Sequence, residues 1–412
     1  MALLRKLMGF WVLLAALCAA AESSISDVVV NQRWSWSEKV DVDFILSGET
    51  NDVEVTATWD AHPAPYRLGT MFGCVPGQRR FTWDPTKSEF AGQTLTGFTV
   101  ALSNAAASAH TYLVVDLVNG GYEFMAAPPA GGWTAAHKSS KMVFRRIPAG
   151  TYTLGEPVET FTHLGQSSPD YYADIQNRRQ VTFTSDFYVG IFKYTKAQHA
   201  CLSTGSASSD FRPQGELSYN DLRGAKPAVD WPNTMYNVAS NSIVAKIRAK
   251  AGAGLVVDLC QEDQWEVAAR ANTTTFWPTG GTTNETFATH TNQVNGFVAW
   301  YGNTGSAQQS VGTKGDNGWG FYDVIGLGGE WTLDATAGTT TIPSRVRLPD
   351  AYVDPIGGRD CARRVLRSAS GNSESVTFSE LLPCRRQLAD PSWQSYSTRF
   401  CIHLKPLGNL SF

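Results

Sequence analysis

The stretch from Asn317 to Asp334 combines residue types that suit the binding of an ion. Three glycines fall within four positions just ahead of Glu330, namely Gly326, Gly328 and Gly329. Glycine permits positive φ and close approach of the backbone to a ligand. A carboxylate after such a turn folds onto the turn's amides or onto a cation held by its carbonyls. A well-packed turn without a ligand fits the same pattern, and these residues alone leave both interpretations open.

Seven cysteines are the second set of reactive groups. Arg5 and Lys6 precede an apolar run, and small residues follow up to Ala21, so residues 1–21 are expected to be a secretory signal peptide. We therefore expect a secreted or periplasmic protein. Because such compartments are oxidising, disulfides are the first interpretation of the six cysteines beyond Cys18, although their pairing does not follow from the spacing.

Composition narrows the class of protein. The chain has 412 residues, of which 42% are hydrophobic and 17% charged, with a net charge of −3. This length suits two domains with sizeable cores. The absence of a basic block argues against nucleic acid as a partner. Beyond the first residues, no apolar run is long enough to suggest a membrane span.

Residues 24–129 alternate between apolar and polar side chains. The alternating sets are Val40, Val42, Phe44 and Leu46; Val53, Val55, Ala57 and Trp59; Phe98, Val100 and Leu102; and Leu113, Val115 and Leu117. Short half-buried strands at this spacing predict an antiparallel, Ig-like β-sandwich, which we interpret as a spacer or docking domain. The Pro/Gly-rich segment 126–133 is the expected boundary.

The following part of the chain predicts three helices among short strands and loops. Thr195 is a candidate N-cap for a helix through Cys201. Further helices are expected from about Met235 to Ala251 and from Glu262 to Ala271. Asp263 and Glu266 are acids on the last of these helices, and we expect them on a solvated face.

Four segments, in order, resemble the formylglycine-generating enzyme family, also called sulfatase-modifying factors. They are Phe144–Leu154, Phe187–Gln198, Trp265–Ala271 and Gly318–Trp331. The resemblance implies an α+β, loop-rich, C-type-lectin-like fold for a second domain at residues 138–412, preceded by the all-β sandwich.

Active members of this family oxidise a cysteine of sulfatases to formylglycine with O2 and a copper ion held by two cysteines. Soft thiolates suit Cu(I). By matched position, Ser373 stands where the first cysteine is expected, and Cys384 is the nearest match to the second. Cys361 or Cys401 would have to supply the other ligand. The resemblance thus makes Cys384 and Cys361 the candidate catalytic residues of a copper-dependent oxidase.

Because the usual cysteine pair is incomplete, we expect a binding or scaffolding module, with the oxidase as the alternative. The segment Phe276–Tyr301 is rich in Thr, Asn and aromatic residues and suits contact with a protein or glycan ligand. An iron-dependent sulfoxide synthase, also known on this scaffold, ranks last, since it would need a histidine-rich partner domain.

The resemblance also implies a calcium site on the glycine turn. Its ligands would be the carbonyls of Ile325, Gly326 and Gly328 together with the Glu330 carboxylate. Hard oxygen ligands of this kind suit calcium.

Overall fold

The computed structural model describes residues 23–33, 37–156, 177–234, 236–252, 255–275, 277, 296, 308–335, 351–355, 362–368 and 382–403. The strands are β1 (Ser24–Gln32), β2 (Val40–Ser47), β3 (Asn51–Trp59), β4 (His62–Cys74), β5 (Gly77–Trp83), β6 (Thr99–Ala105), β7 (Tyr112–Asp116), β8 (Tyr122–Met125), β9 (Lys141–Ile147), β10 (Gly150–Leu154), β11 (Arg179–Phe183), β12 (Phe187–Gly190), β13 (Val256–Leu259), β14 (Glu330–Ala335), β15 (Ala351–Val353), β16 (Arg364–Arg367), β17 (Gln387–Ala389) and β18 (Phe400–His403). The α-helices are α1 (Lys196–Thr204), α2 (Tyr219–Arg223), α3 (Ile243–Ala251) and α4 (Glu262–Arg270).

The N-terminal region is all-β, as the alternation predicts. It consists of two three-stranded antiparallel sheets in the orders β1-β2-β5 and β4-β3-β6. Val42 from one sheet and Val55 from the other are fully buried and belong to one core cluster. Alternate side chains of β2 and β3 therefore face each other between the sheets.

The strand containing Leu113 and Val115 does not belong to the sandwich. This strand, β7, is hydrogen-bonded between β8 and β9, with Leu113 opposite Phe144. It lies in a six-stranded antiparallel sheet in the order β13-β18-β12-β9-β7-β8. The central sheet therefore includes residues that precede the domain boundary expected around residue 129. Alternation identifies a strand and its buried face, but it does not identify the neighbouring strands.

A buried ion cluster joins the sandwich to the central sheet. Asp52 of β3 accepts hydrogen bonds from the guanidinium of Arg146 on β9, at 2.9 Å for the Nη2–Oδ1 contact. His110 Nδ1 lies 2.7 Å from Asp52 Oδ2, and the Gly73 amide donates to Oδ1 at 2.8 Å. Burial raises the pKa of Asp52, but His110 and Arg146 outweigh burial and lower it overall. The junction therefore contains an ionised carboxylate.

Two helices agree with prediction and one differs. Thr195 caps α1, and its side chain accepts a hydrogen bond from the Gln198 amide at 3.0 Å. Helix α4 has nearly its predicted bounds. The helix expected from about Met235 begins only at Ile243, after the N-cap Ser242. Met235 itself lies outside the described residues. Ser242 caps the first turn, so the helix starts after it and does not continue from an earlier residue. The apolar residues spaced four apart did not reveal where the helix starts.

Two smaller three-stranded sheets complete the described part of the fold, and one of them starts at the glycine turn. The antiparallel sheet β14-β16-β17 begins with Glu330, the first residue of β14. The sheet β10-β11-β15 includes a parallel pair, β11 with β15.

In the part of the chain that the structure describes, no helix has the length and apolar character needed to cross a membrane.

Candidate functional site

The glycine turn has a backbone of fixed and unusual shape. Asp323, Gly326, Leu327 and Gly328 have φ values of 52°, 80°, 52° and 99°. Leucine seldom adopts positive φ, because its Cβ crowds the backbone. The Leu327 side chain is buried in the core of the second region, and this packing compensates for the backbone strain. The turn therefore places Glu330 at the start of β14 in one orientation.

Glu330 is the centre of a buried polar cluster. Its carboxylate accepts hydrogen bonds from Lys193 Nζ at 2.6 Å, Arg399 Nε at 2.9 Å and Trp265 Nε1 at 3.0 Å. All four side chains are almost completely buried. Burial raises the pKa of Glu330, but Arg399 and Lys193 outweigh burial and lower it overall. The carboxylate is therefore ionised inside the protein, where its two cations compensate for lost hydration.

The Lys193 ammonium lies where the resemblance implies a calcium ion. It donates to the Gly328 carbonyl at 2.8 Å as well as to Glu330. These are two of the four oxygens expected to ligate calcium, and a third, the Gly326 carbonyl, accepts from Ser368 Oγ at 3.3 Å. Calcium needs six to eight oxygens at about 2.3–2.6 Å. With the ammonium in this place, the residues do not fit a calcium ion.

Sequence reasoning missed Lys193 and gave Arg399 no role. Lys193 belongs to the segment between β12 and α1, and Arg399 directly precedes β18. One signal was available, because Lys193 is the only charged residue in the run from Phe187 to Tyr194. A lone charge within an apolar run is buried only with a partner.

Cys384 is a buried thiol beside charged side chains. It is completely buried, and burial raises its pKa well above the ordinary value, with a further increase from Glu156 that Arg270 and Arg367 oppose. Copper and catalytic chemistry both need the thiolate. Without a bound metal, Cys384 is therefore a protonated thiol. Its predicted partner Cys361 lies outside the described residues.

The thiols of Cys401 and Cys260 are both hydrogen-bonded to other groups. Cys401 donates to Gln264 Oε1 at 3.5 Å, and Cys260 donates to the Arg399 carbonyl at 3.7 Å. The five described cysteines, Cys74, Cys201, Cys260, Cys384 and Cys401, are all buried free thiols. The expected disulfides are therefore not formed among these five.

The acids of α4 do not face solvent, contrary to expectation. Glu266 is fully buried and accepts from Arg270 Nε at 2.8 Å, the Gly155 amide at 2.7 Å and Arg367 Nη2 at 3.2 Å. Burial raises the pKa of Glu266, but Arg270, Arg179 and Arg367 outweigh burial and lower it to about 2. Asp263 is also buried and pairs with Arg179. Helical spacing could not show this, because Arg179 and Arg367 come from distant strands.

Half-buried aromatic side chains lie beside the glycine turn. We call Trp133, Tyr152, Trp319 and Tyr322 the aromatic surface. The rings of Tyr152 and Trp319 meet edge to face with centroids 6.2 Å apart. Arg145 joins members of the set, since it donates to the Trp319 carbonyl and to the hydroxyl of Tyr112, whose ring packs on Trp133.

Polar groups border this surface. Asp316 is exposed and forms a β-bridge with Tyr322. The amide of the preceding residue, Gly315, donates to the Gly296 carbonyl at 2.8 Å. Gly296 belongs to Phe276–Tyr301, the segment expected to contact a ligand, of which the structure describes Trp277 and Gly296. At this point that segment reaches the edge of the aromatic surface.

Residues 133–393 match the model of a family described as "Sulfatase-modifying factor enzyme 1-like domain". This match covers more than half of the chain. The chain belongs to this family. The family recognised from the four sequence segments is therefore confirmed, together with an α+β, loop-rich fold preceded by an all-β region.

Two solved structures are similar to this member of the sulfatase-modifying factor family. PvdO from Pseudomonas aeruginosa is 17% identical, with a TM-score of 0.44, and the match covers 66% of this chain and 97% of PvdO. Treponema denticola variable protein 1 is 16% identical, with a TM-score of 0.45 and coverage of 66% and 97%. No curated protein matches the chain.

Proposed function

We propose that this family member is an exported binding or scaffolding module and has lost the copper oxidase chemistry. The observation that carries the proposal is the incomplete cysteine set. Ser373 stands where the first copper cysteine of the family is expected, and the Cys401 thiol, one candidate replacement, donates to Gln264 Oε1 at 3.5 Å. Cys384 is fully buried, and burial raises its pKa, so without a metal its thiol is protonated.

The ligand is a glycan or a protein that contacts the aromatic surface. Half-buried aromatic rings present part of their apolar faces without exposing a large apolar patch. Arg145 and the exposed Asp316 place polar groups beside those faces. Loops held on a rigid scaffold can change their ligand without changing the fold. Binding at the aromatic surface does not require oxidation of a substrate cysteine.

The test is binding of the full exported chain to arrays of immobilised oligosaccharides and of peptides. Trp319→Ala is expected to weaken binding at least about tenfold, which corresponds to the loss of one well-packed aromatic contact. Trp393→Ala is the matched control, because Trp393 is 42% exposed and contacts Arg363 rather than the aromatic surface. Oligosaccharide binding identifies a glycan ligand, and peptide binding identifies a protein ligand.

A copper experiment on the same preparation addresses the oxidase alternative. We expect no tight uptake of Cu(I) that depends on Cys384, and no oxidation of a cysteine-containing peptide. Cu(I) uptake that Cys384→Ser abolishes, accompanied by peptide oxidation, would refute the loss of oxidase chemistry. Equal binding of an array ligand by the Trp319 and Trp393 variants would refute the aromatic surface as the binding site.

A further inference from the structure

Three elements meet at the carbonyl side of the glycine turn. The turn contributes the Gly328 carbonyl and the Glu330 carboxylate. The segment after β12 contributes Lys193, whose ammonium contacts both of these oxygens at 2.8 and 2.6 Å. Arg399 approaches Glu330 from the start of β18 and also donates to the Tyr322 carbonyl at 2.9 Å. A cation with one positive charge thus already contacts two oxygens of the turn.

The sum of charges leaves no net attraction for a divalent ion. Lys193 and Arg399 supply two positive charges, and Glu330 supplies one negative charge. Among the described residues, the carboxyl group of Asp323 also interacts with both cations, and it is buried as well. The total is zero with Asp323 ionised and positive with Asp323 neutral. Adding a calcium ion would place uncompensated positive charge in the interior, which is strongly unfavourable.

We propose that the Lys193 ammonium is a built-in replacement for a bound metal ion, so that the glycine turn keeps its shape without calcium. The covalent tether keeps this group at the turn. Burial lowers the pKa of Lys193, whereas the adjacent Glu330 carboxylate favours the charged form. A bound ion would instead be lost on dilution or chelation. The turn and Glu330 therefore keep one conformation at any calcium concentration that the exported protein meets.

The first test uses the unmodified full chain. Its thermal midpoint is measured in millimolar EGTA, in millimolar calcium and in magnesium at equal ionic strength. We expect no difference among the three conditions, and no saturable heat of calcium binding by titration calorimetry. A saturable rise of the midpoint with calcium, or a fall with EGTA, would overturn the proposal if Glu330→Gln abolishes that change.

The second test removes the tethered charge. Lys193→Met keeps the length of the side chain and removes the ammonium, which leaves the Gly328 carbonyl without this donor. We expect the thermal midpoint to fall by roughly 10 °C. Lys246→Met is the matched control, because Lys246 is an exposed lysine of α3, and we expect no change. A Lys193→Met protein as stable as the control would overturn the proposal. If that variant does not fold, the calcium titration of the unmodified chain decides the question.

Discussion

Replacing Asp52 by Asn removes the negative charge from the junction between the sandwich and the central sheet. The side chain keeps its shape, but Arg146 loses its main counter-ion inside the protein. Arg146 retains a hydrogen bond to Asp186, at 2.5 Å from Nε to Oδ2. After the change, the buried guanidinium of Arg146 has one carboxylate partner instead of two.

The magnitude follows from the burial of the pair and from the one carboxylate that remains beside Arg146. The Asp52 side chain is completely buried and that of Arg146 is 5% exposed. Removing one partner of such a pair typically costs about 3–5 kcal/mol, because the remaining charge stays desolvated. Since Asp186 still compensates part of the charge, we expect a loss near the lower end, about 3 kcal/mol in the free energy of unfolding.

Urea unfolding followed by tryptophan fluorescence measures this loss. Asp43→Asn provides the matched control, because Asp43 forms a similar pair with Arg80, at 2.7 Å, on an exposed face of the sandwich. That pair should contribute less than about 1 kcal/mol. If the two variants lose equal stability, the ion cluster does not hold the junction and the reasoning from burial is wrong.

Two further predictions concern residues 133–393, the part of the chain that matches the family. Because Glu266 has a pKa of about 2 against an ordinary 4.5, its contribution to stability is complete above about pH 4.5 and disappears as the pH falls towards about 2. Glu266→Gln should therefore lower the free energy of unfolding at about pH 7 and make that free energy fall less steeply as the pH is lowered. Urea midpoints whose pH dependence is the same as in the unmodified protein would contradict this. Thr195→Ala should lower the free energy of unfolding by about 1–2 kcal/mol, through loss of the cap on α1 and of the bond to the Lys138 carbonyl. The exposed Thr204→Ala is its control, and equal losses in the two would exclude the capping role.

Local pattern alone determined several features of this protein. The alternation from Val40 to Leu46 determined a strand and its buried face, because successive side chains of a strand point to opposite sides. Thr195 marked the start of α1, because an N-cap acts within one turn of helix. Four ordered segments identified the family. In each case the information lies within a short length of chain.

Tertiary structure decided which distant residues meet. The pattern of β7 was readable, but its pairing with β9 rather than with the sandwich depends on sequence-remote hydrogen bonds. The burial of Glu266 depends on Arg179 and Arg367, which β11 and β16 bring to α4. These contacts have no local signature, so the sequence predicted a solvated acid.

The glycine turn illustrates both sides of this division. Its glycines and Glu330 were recognisable as groups that could surround a cation. The nature of that cation was decided by Lys193, which lies 137 residues away in the chain and contacts Glu330 only in the folded protein. Electrostatic compensation of a buried carboxylate depends on distance in space, and separation along the chain does not reveal it.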